Sequence, residues 1–289
     1  MKALASFFWH GAPLSPYEQA CLRSFVRQGF EVQLFCYDAD RVLPAGVRRR
    51  DARDYFAVAE VHSYEHGGQR GSIAAFADVL RASILAAEGG WWFDTDVYCL
   101  QDVEAYRQRF AGLPQVFGLE APGRVNNAVL YFEPGSPHAR QLRDRALAQG
   151  KRRLRWGALG PRLLTEYLRE SALLVQAQPA QTFYPIDCAG APDLLQPARA
   201  QTCAERCEPA LAVHWWNELY RRWGLPKQLA PPPGSFLRQC IEREGIPLPD
   251  AGCTPELIDT LIAGFEARRR LQKWRRLRAA LRWPSAESA

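Results

Sequence analysis

A short acidic motif after a hydrophobic run constrains the fold of this chain more than any other feature. Trp91, Trp92 and Phe93 form a run typical of a buried strand, and Asp94 and Asp96 follow it directly. Residues two apart on an extended segment point to the same side, so the two carboxylates are expected to face together. Open α/β sheets bind ligands at the carboxyl ends of their strands, and carboxylates hold divalent metals that also bind phosphates. The motif therefore predicts a metal–diphosphate site, with a solvated turn as the other interpretation.

The segment before this strand is predicted to be a helix that carries a second pair of charges. It follows Ser72, a capping residue, and ends at Gly89, and its apolar residues repeat at helical spacing. Asp78 and Arg81 are three residues apart, so they are neighbours close to the apolar stripe. One interpretation is an intrahelical ion pair. We favour a site in which Arg81 binds a phosphate or a sugar hydroxyl and Asp78 accepts hydrogen bonds from sugar hydroxyls.

Together, this helix and strand resemble the central block of the DXD-type sugar transferases. That group includes capsular-polysaccharide, α-1,4-galactosyl and mannosyl transferases, and the large glucosylating bacterial toxins carry a related block. The resemblance rests on the stretches Phe76 to Arg81 and Gly89 to Val97. Looser matches extend it over most of residues 1–240: Phe7 to Gly11, Leu14 to Tyr17, Gly157 to Pro161, Phe183 to Ile186 and Val213 to Asn217.

The resemblance implies a GT-A-type α/β fold with a mixed, mainly parallel sheet and a helical C-terminal extension. It also implies a hexosyltransferase that moves a hexose from a nucleotide-sugar, with a UDP-sugar favoured, to a cell-surface glycan or a lipid-linked acceptor, and retains the anomeric configuration. Asp78 and Arg81 would bind the donor sugar, and Asp94 and Asp96 would bind Mn²⁺ or Mg²⁺ with the diphosphate. We identify no residue as a nucleophile. A transferase that glycosylates a protein is an alternative.

Four further polar or aromatic positions are candidates for the same site. His214 follows a short strand-like run late in the chain and is predicted to be a third metal ligand, with a core histidine as the alternative. Trp9 follows the first predicted strand and is a candidate to stack on the nucleotide base or to fill the core, and the role of the adjacent His10 stays open. Asn127, at a predicted strand start, is a contact to donor or acceptor, or part of a capped turn.

Composition and patterning fit one large α/β domain. The chain has 289 residues, of which 47% are hydrophobic, enough for a sizeable core. A strand over 3–9, a helix over 16–28 and a strand over 31–37 predict a parallel βαβ start. Residues 60–71 are interpreted as a mobile loop and residues 186–210 as irregular. The eight cysteines are expected to be reduced thiols, and the spacing of Cys203 and Cys207 gives no zinc signal.

The C-terminal tail differs in charge from the rest of the chain. Residues 265–289 hold eight basic and two acidic residues, a net +6, which equals the formal charge of the whole chain, so residues 1–264 are neutral. We therefore divide the chain into a catalytic domain, 1–264, and a basic amphipathic tail, 265–289. Leu271, Trp274 and Leu281 repeat at helical spacing among arginines, typical of a helix on an anionic membrane.

Further expectations follow from the tail. The protein is expected to be cytoplasmic and peripheral on the inner face of the cell membrane, with a lipid-linked glycan or a lipopolysaccharide core as its acceptor. A solvated helix over the core is an alternative, and nucleic acid is not expected as a partner because no nucleic-acid motif accompanies the arginines. A different class of function is a membrane- or polyanion-binding protein on an inactive transferase scaffold.

Overall fold

The computed structural model describes residues 3–65, 70–150 and 154–281 of the chain. Its strands are β1 Leu4–Phe8, β2 Glu31–Cys36, β3 Val47–Asp51, β4 Gly90–Phe93, β5 Val97–Cys99, β6 Gln115–Ala121, β7 Arg124–Phe132 and β8 Ala212–His214. Its α-helices are α1 Pro16–Arg27, α2 Ala74–Glu88, α3 Val103–Arg109, α4 Pro137–Ala148, α5 Pro161–Glu170, α6 Ala200–Cys207, α7 Asn217–Trp223, α8 Phe236–Arg243 and α9 Pro255–Leu281.

Six strands form one mixed sheet in the order β3-β2-β1-β4-β7-β6. The pairs β1–β2, β2–β3 and β1–β4 are parallel, whereas β7 runs antiparallel to both of its neighbours, β4 and β6. Strands β1 and β2 with helix α1 form the predicted parallel βαβ unit. The predicted fold class, α/β with a mixed, mainly parallel sheet and a helical C-terminal extension, is confirmed.

Both faces of this sheet are covered, which explains why β4 is apolar throughout. Trp91 and Phe93 pack into a core with α1 and α3, whereas Trp92 packs on the opposite face with α2, α4 and α5. Successive side chains of a strand point to opposite faces, so a strand buried on both sides reads as a continuous apolar run. The buried strand predicted before Asp94 is therefore confirmed.

A second, smaller sheet and a separate core complete the fold. Strands β5 and β8 pair antiparallel, with Val97 opposite His214. Helices α6, α7 and α8 and the start of α9 pack with α1 and Tyr98 around a core that includes Trp215 and Tyr220. The chain leaves the large sheet at the end of β4 and enters the small sheet at β5, so the Asp94–Asp96 segment is the link between them.

Several local predictions need correction. Residues 186–210 are not irregular, because they form short 3₁₀ turns and helix α6. The edge strand β3 was not predicted, since Arg48, Arg49 and Arg50 give it no apolar alternation. Helix α2 begins at Ala74, two residues after the expected cap. The predicted loop over 60–71 lies partly outside the described residues.

The C-terminal helix crosses the boundary predicted at residue 264, and the division into domain and tail stays a prediction. Helix α9 runs from Pro255 to Leu281, so residue 264 lies inside it and residues 265–281 continue an element that begins earlier. Residues 282–289, Trp283 among them, lie outside the described part of the chain. Within the described residues, no helix is long and apolar enough to cross a bilayer.

Candidate active site

The Asp94–Asp96 segment is a tight turn and not the extended segment that the sequence predicts. Strand β4 ends at Phe93, and the amide of Val97 donates to the carbonyl of Asp94 at 3.0 Å. The turn arises because the chain must pass from the large sheet to β5 in the small sheet. As a result, the two carboxylates have different partners and do not share one face of a strand.

Arg81 joins the helix and the turn into one charged cluster. Its Nη1 donates to Asp78 Oδ1 at 2.7 Å, and its Nη2 donates to Asp94 Oδ1 at 2.6 Å. Trp92 Nε1 donates to the same oxygen of Asp94 at 2.8 Å, and the guanidinium lies over the Trp92 ring. The ion pair of Asp78 and Arg81, which was the alternative interpretation of their spacing, is present, and Arg81 also reaches the acidic turn, which helical spacing alone did not predict.

Asp78 lies deep in this cluster, where burial raises its pKa to about 7 although the charge of Arg81 opposes the shift. Asn127 Nδ2 donates to Asp78 Oδ1 at 2.8 Å. Gly160, before helix α5, approaches so closely that a Cβ there would lie 2.5 Å from Asp78 Oδ2. Asn127 is therefore brought to the predicted site, although it lies within β7 and not at a strand start.

Asp96 and His214 form a second buried pair beside the turn. His214 Nε2 lies 3.2 Å from Asp96 Oδ2, and the amide of Asn217 donates to the same oxygen at 2.8 Å. Burial would raise the pKa of Asp96, but the neighbouring His214 and the hydrogen bonds hold it below its ordinary value. Burial alone would lower the pKa of His214. The effect of the neighbouring Asp96 carboxylate is larger, so the pKa of His214 is raised.

Pairing of β5 with β8 brings these two residues together. The register places His214 opposite Val97, the residue after Asp96, although His214 is more than one hundred positions later in the chain. The His214 ring also contacts Trp216, with ring centroids 4.3 Å apart. The location predicted for His214, beside the acidic motif, is thus found in the structure, while its role as a metal ligand stays a prediction.

A polar cluster that the sequence did not single out connects Asp96 to Trp9. Glu18, fully buried, accepts hydrogen bonds from the Ser15 amide and hydroxyl and from Asn217 Nδ2, and it pairs with Lys227. The Lys227 ammonium lies 5.5 Å from the centre of the Trp9 ring. Trp9 itself packs partly against the core and donates from Nε1 to the Ala12 carbonyl at 2.7 Å. From the sequence alone, Glu18 is recognisable only as the partner of Ser15 in a helix capping box.

The side chains at the site are suitable ligands for the predicted Mn²⁺ or Mg²⁺, but their present positions do not form a complete metal site. Carboxylates and an imidazole are ligands that Mn²⁺ accepts, and Asp94, Asp96 and His214 belong to one turn and the strand beside it. Among the described residues, no three such groups converge closely enough to hold an ion as they stand, because Asp94 faces Arg81 and Trp92. Buried His214 Nδ1 has no hydrogen-bond partner among the described residues. Asp94 would have to turn from Arg81 to join Asp96 at a metal.

One comparison with known proteins matches the part of the chain that holds the site. Residues 53–117 match a family model described as "Capsular polysaccharide synthesis protein", a segment that contains α2, β4 and the acidic turn. The match covers the same helix and strand that carry the resemblance to capsular-polysaccharide transferases, and it spans less than a quarter of the chain. No curated protein is detectably similar in sequence to the chain.

Three solved glycosyltransferase structures superpose on most of the chain. The PaToxG glycosyltransferase is 14% identical, with 84% of each chain covered and a TM-score of 0.42. GlyE of Streptococcus pneumoniae TIGR4 is 13% identical, with 93% of this chain and 64% of that one covered and a TM-score of 0.48. The glycosyltransferase domain of the YGT toxin is 10% identical, with 84% and 94% covered and a TM-score of 0.42. TM-scores below 0.5 do not establish a shared fold. The fold class therefore rests on the observed order and direction of the strands in the large sheet.

Proposed function

We propose that this chain is a metal-dependent, retaining glycosyltransferase that moves a hexose from a nucleotide-sugar, with a UDP-sugar favoured, to a glycan or lipid-linked acceptor. One observation carries the proposal: Arg81 bridges the buried Asp78 and the turn carboxylate Asp94 at the carboxyl end of β4. An ion pair that merely supported α2 would not need a second carboxylate from another element. The match of residues 53–117 to the capsular-polysaccharide family model supports the same reaction class.

The chain's own residues would divide the work between sugar and diphosphate. Asp78 and Asn127 would orient the donor sugar, because a buried carboxylate and amide bind hydroxyl groups in a fixed geometry. Arg81 would add positive charge beside the leaving diphosphate, where negative charge develops during transfer. Bound at Asp94, Asp96 and His214, Mn²⁺ or Mg²⁺ would neutralise that diphosphate as well. Departure and attack on one face of the sugar would retain the anomeric configuration.

Substitution of the turn carboxylates tests the proposal. Asp94→Asn and Asp96→Asn should each lower Mn²⁺-dependent hydrolysis of a UDP-sugar by at least about a hundredfold, the scale of losing one electrostatic contact to the leaving group. The exposed Asp144→Asn is the matched control and should retain full activity. His214→Ala should weaken Mn²⁺ binding, measured by calorimetry. Full activity in excess EDTA, or in the double Asn variant, would contradict the metal role.

We also propose that the end of α9 places the enzyme on an anionic membrane surface at the inner face of the cell membrane. Leu271 and Trp274 are about half exposed, and the Arg278 guanidinium lies 4.6 Å from the Trp274 ring centre. Exposed apolar side chains beside cations suit the boundary between headgroups and acyl chains, where each cation contributes about 1 kcal/mol.

Vesicle binding tests this placement. The intact protein should bind vesicles that contain phosphatidylserine at low salt and release them as salt rises, whereas a variant without residues 270–289 should not bind. Activity of that variant on a soluble acceptor should persist. An intact protein that ignores anionic vesicles at low salt would contradict the placement without affecting the transferase proposal.

A further inference from the structure

A small apolar cavity continues from the charged cluster into the protein. Asp78, Arg81, Asn127 and Gly160 line one end. The remaining walls are apolar side chains of α2, α4, α5 and β7 and the residue before Gly160: Ala82, Leu85, Leu130, Phe132, Ala139, Leu142, Leu159, Leu163 and Leu164. The volume is about 30 Å³, and roughly 10 to 15 Å³ of such space holds one water-sized group. The cavity thus has room for about two to three heavy atoms beside the polar cluster.

A buried polar group without a partner marks the cavity as a place for a ligand and not simply as a packing gap. Arg81 is almost fully buried and uses Nη1 and Nη2 for the two carboxylates, while its Nε has no hydrogen-bond partner among the described residues. A buried donor without an acceptor is unfavourable, because the hydrogen bonds that it made to water in the unfolded chain are not replaced. Gly160 has no side chain, so Asp78 and Asn127 pack directly against it: a Cβ there would lie 2.5 Å from Asp78 Oδ2 and 2.7 Å from Asn127 Nδ2. The wall therefore offers one donor that needs an acceptor, next to apolar space.

A group that joins an acceptor oxygen to a methyl group satisfies both features. We propose that the cavity selects donor sugars that carry an acetamido substituent, so the transferred sugar is an N-acetylated hexosamine. The acetyl carbonyl oxygen accepts from Arg81 Nε and the methyl group occupies the apolar part between Ala82 and Leu163, while the sugar hydroxyls bind Asp78 and Asn127. This inference rests on the proposed function, since it names the sugar for the same site.

Calorimetric titration of the full chain with matched donors tests the inference. UDP-N-acetylglucosamine and UDP-N-acetylgalactosamine are compared with UDP-glucose and UDP-galactose in the presence of Mn²⁺, so each pair differs in the acetamido group alone. We expect the acetamido donors to bind at least about tenfold more tightly, since burial of a methyl-sized group in a fitted apolar pocket discriminates on that scale.

Filling the cavity gives a second measurement. Ala82→Val adds two methyl groups at the wall and should abolish the preference. Ala86→Val makes the same change one turn later on α2, outside the cavity, and should keep it. Thermal melts check that both variants are folded.

The outcomes separate this inference from the proposed function. Equal affinity for both members of each pair in the unmodified protein would overturn the acetamido assignment and leave the transferase proposal intact. A preference that survives in folded Ala82→Val would overturn the role of the cavity. Failure of all four donors to bind would contradict the proposed function itself, and the inference with it.

Discussion

Asp78 combines deep burial with two hydrogen-bond donors, and this environment sets its protonation. Arg81 and Asn127 both donate to Oδ1, and Gly160 packs beside Oδ2. Removal from water nevertheless dominates, so the carboxyl is neutral in a large fraction of molecules near pH 7. A carboxyl near this balance can either donate to or accept from a sugar hydroxyl.

The raised pKa of Asp78 predicts a loss of stability as pH rises. The folded-state pKa of about 7 exceeds the ordinary value of 3.8. The contribution of Asp78 to the free energy of unfolding is therefore fully present below pH 3.8 and is lost as pH rises through 7. The slope reaches at most about 1.4 kcal/mol per pH unit between these values. Asp78→Asn, which cannot ionise, should lack this component. Urea unfolding at pH 5, 6, 7 and 8 measures it, and parallel pH profiles for both proteins would contradict the assignment.

Helix α2 is fixed at its two ends by different kinds of contact. Its first half carries the charged cluster, whereas Glu88 at its last position ties it to the sheet edge. Glu88 accepts from Arg50 on β3 at 3.0 Å, from Tyr55 at 2.7 Å and from Gln33 at 3.2 Å. This network holds the arginine-rich strand β3 against β2 where apolar alternation does not. Burial opposes ionisation of Glu88, but these hydrogen bonds outweigh it and lower its pKa.

Glu88→Gln should therefore destabilise the protein in a pH-dependent way. Because the pKa of Glu88 is lowered in the folded state, its contribution to the free energy of unfolding is present above the ordinary pKa of 4.5. This contribution is lost as pH falls through the folded-state pKa. We expect a loss of about 1 to 3 kcal/mol at pH 7, since a partly buried, charged hydrogen-bond network is broken. Denaturant titrations at pH 7 and pH 3.5 test this, and the difference should shrink at the lower pH.

Asp54→Asn is the control for this experiment. Asp54 lies 3.7 Å from the same Arg50, but its side chain is 55% exposed. Exposed ion pairs contribute little because water and salt screen them, so stability should barely change. A loss as large as that of Glu88→Gln would show that the charge of Arg50, and not the hydrogen-bond network of Glu88, stabilises β3.

At the scale of the whole molecule, the site lies where the two sheets meet. The large sheet contributes β4, with helix α2 packed on its face, and the small sheet contributes His214 on β8. Buried Glu244, after α8, accepts from Tyr98 of β5 at 2.6 Å and from Arg27 of α1 at 3.0 Å. The second core is completed by the first turns of α9, where Ile258 is buried and Phe265 packs partly against it. The beginning and the end of α9 thus have different roles.

Two truncations separate these roles. Removal of 270–289 deletes side chains that are exposed where the structure describes them, so the melting temperature should stay nearly unchanged. Removal of 255–289 also exposes the second core, and losing one fully buried Ile costs about 1.5 to 3 kcal/mol before its neighbours are counted. Differential scanning fluorimetry compares the two, and equal stability would contradict the division of α9.

The sequence by itself determined the parts whose signals are local. Three local patterns predicted elements that the structure confirms: the apolar run of β4, the helical periodicity of α2 up to its terminal glycine, and the βαβ unit at the start of the chain. Each pattern is set by which side chains of its own segment are buried. The spacing of Asp78 and Arg81 likewise fixed their contact, because residues three apart on a helix are always neighbours.

Tertiary structure alone decided what completes the site. The acidic segment is a turn because β5 belongs to a different sheet from β4, and no pattern within the motif encodes that change. His214 meets Asp96 through the register of β5 and β8, and Lys227 meets Glu18 across 209 positions of sequence. Periodicity specifies which face of an element is buried, whereas the partner of that face depends on packing between distant segments, which a single sequence does not display.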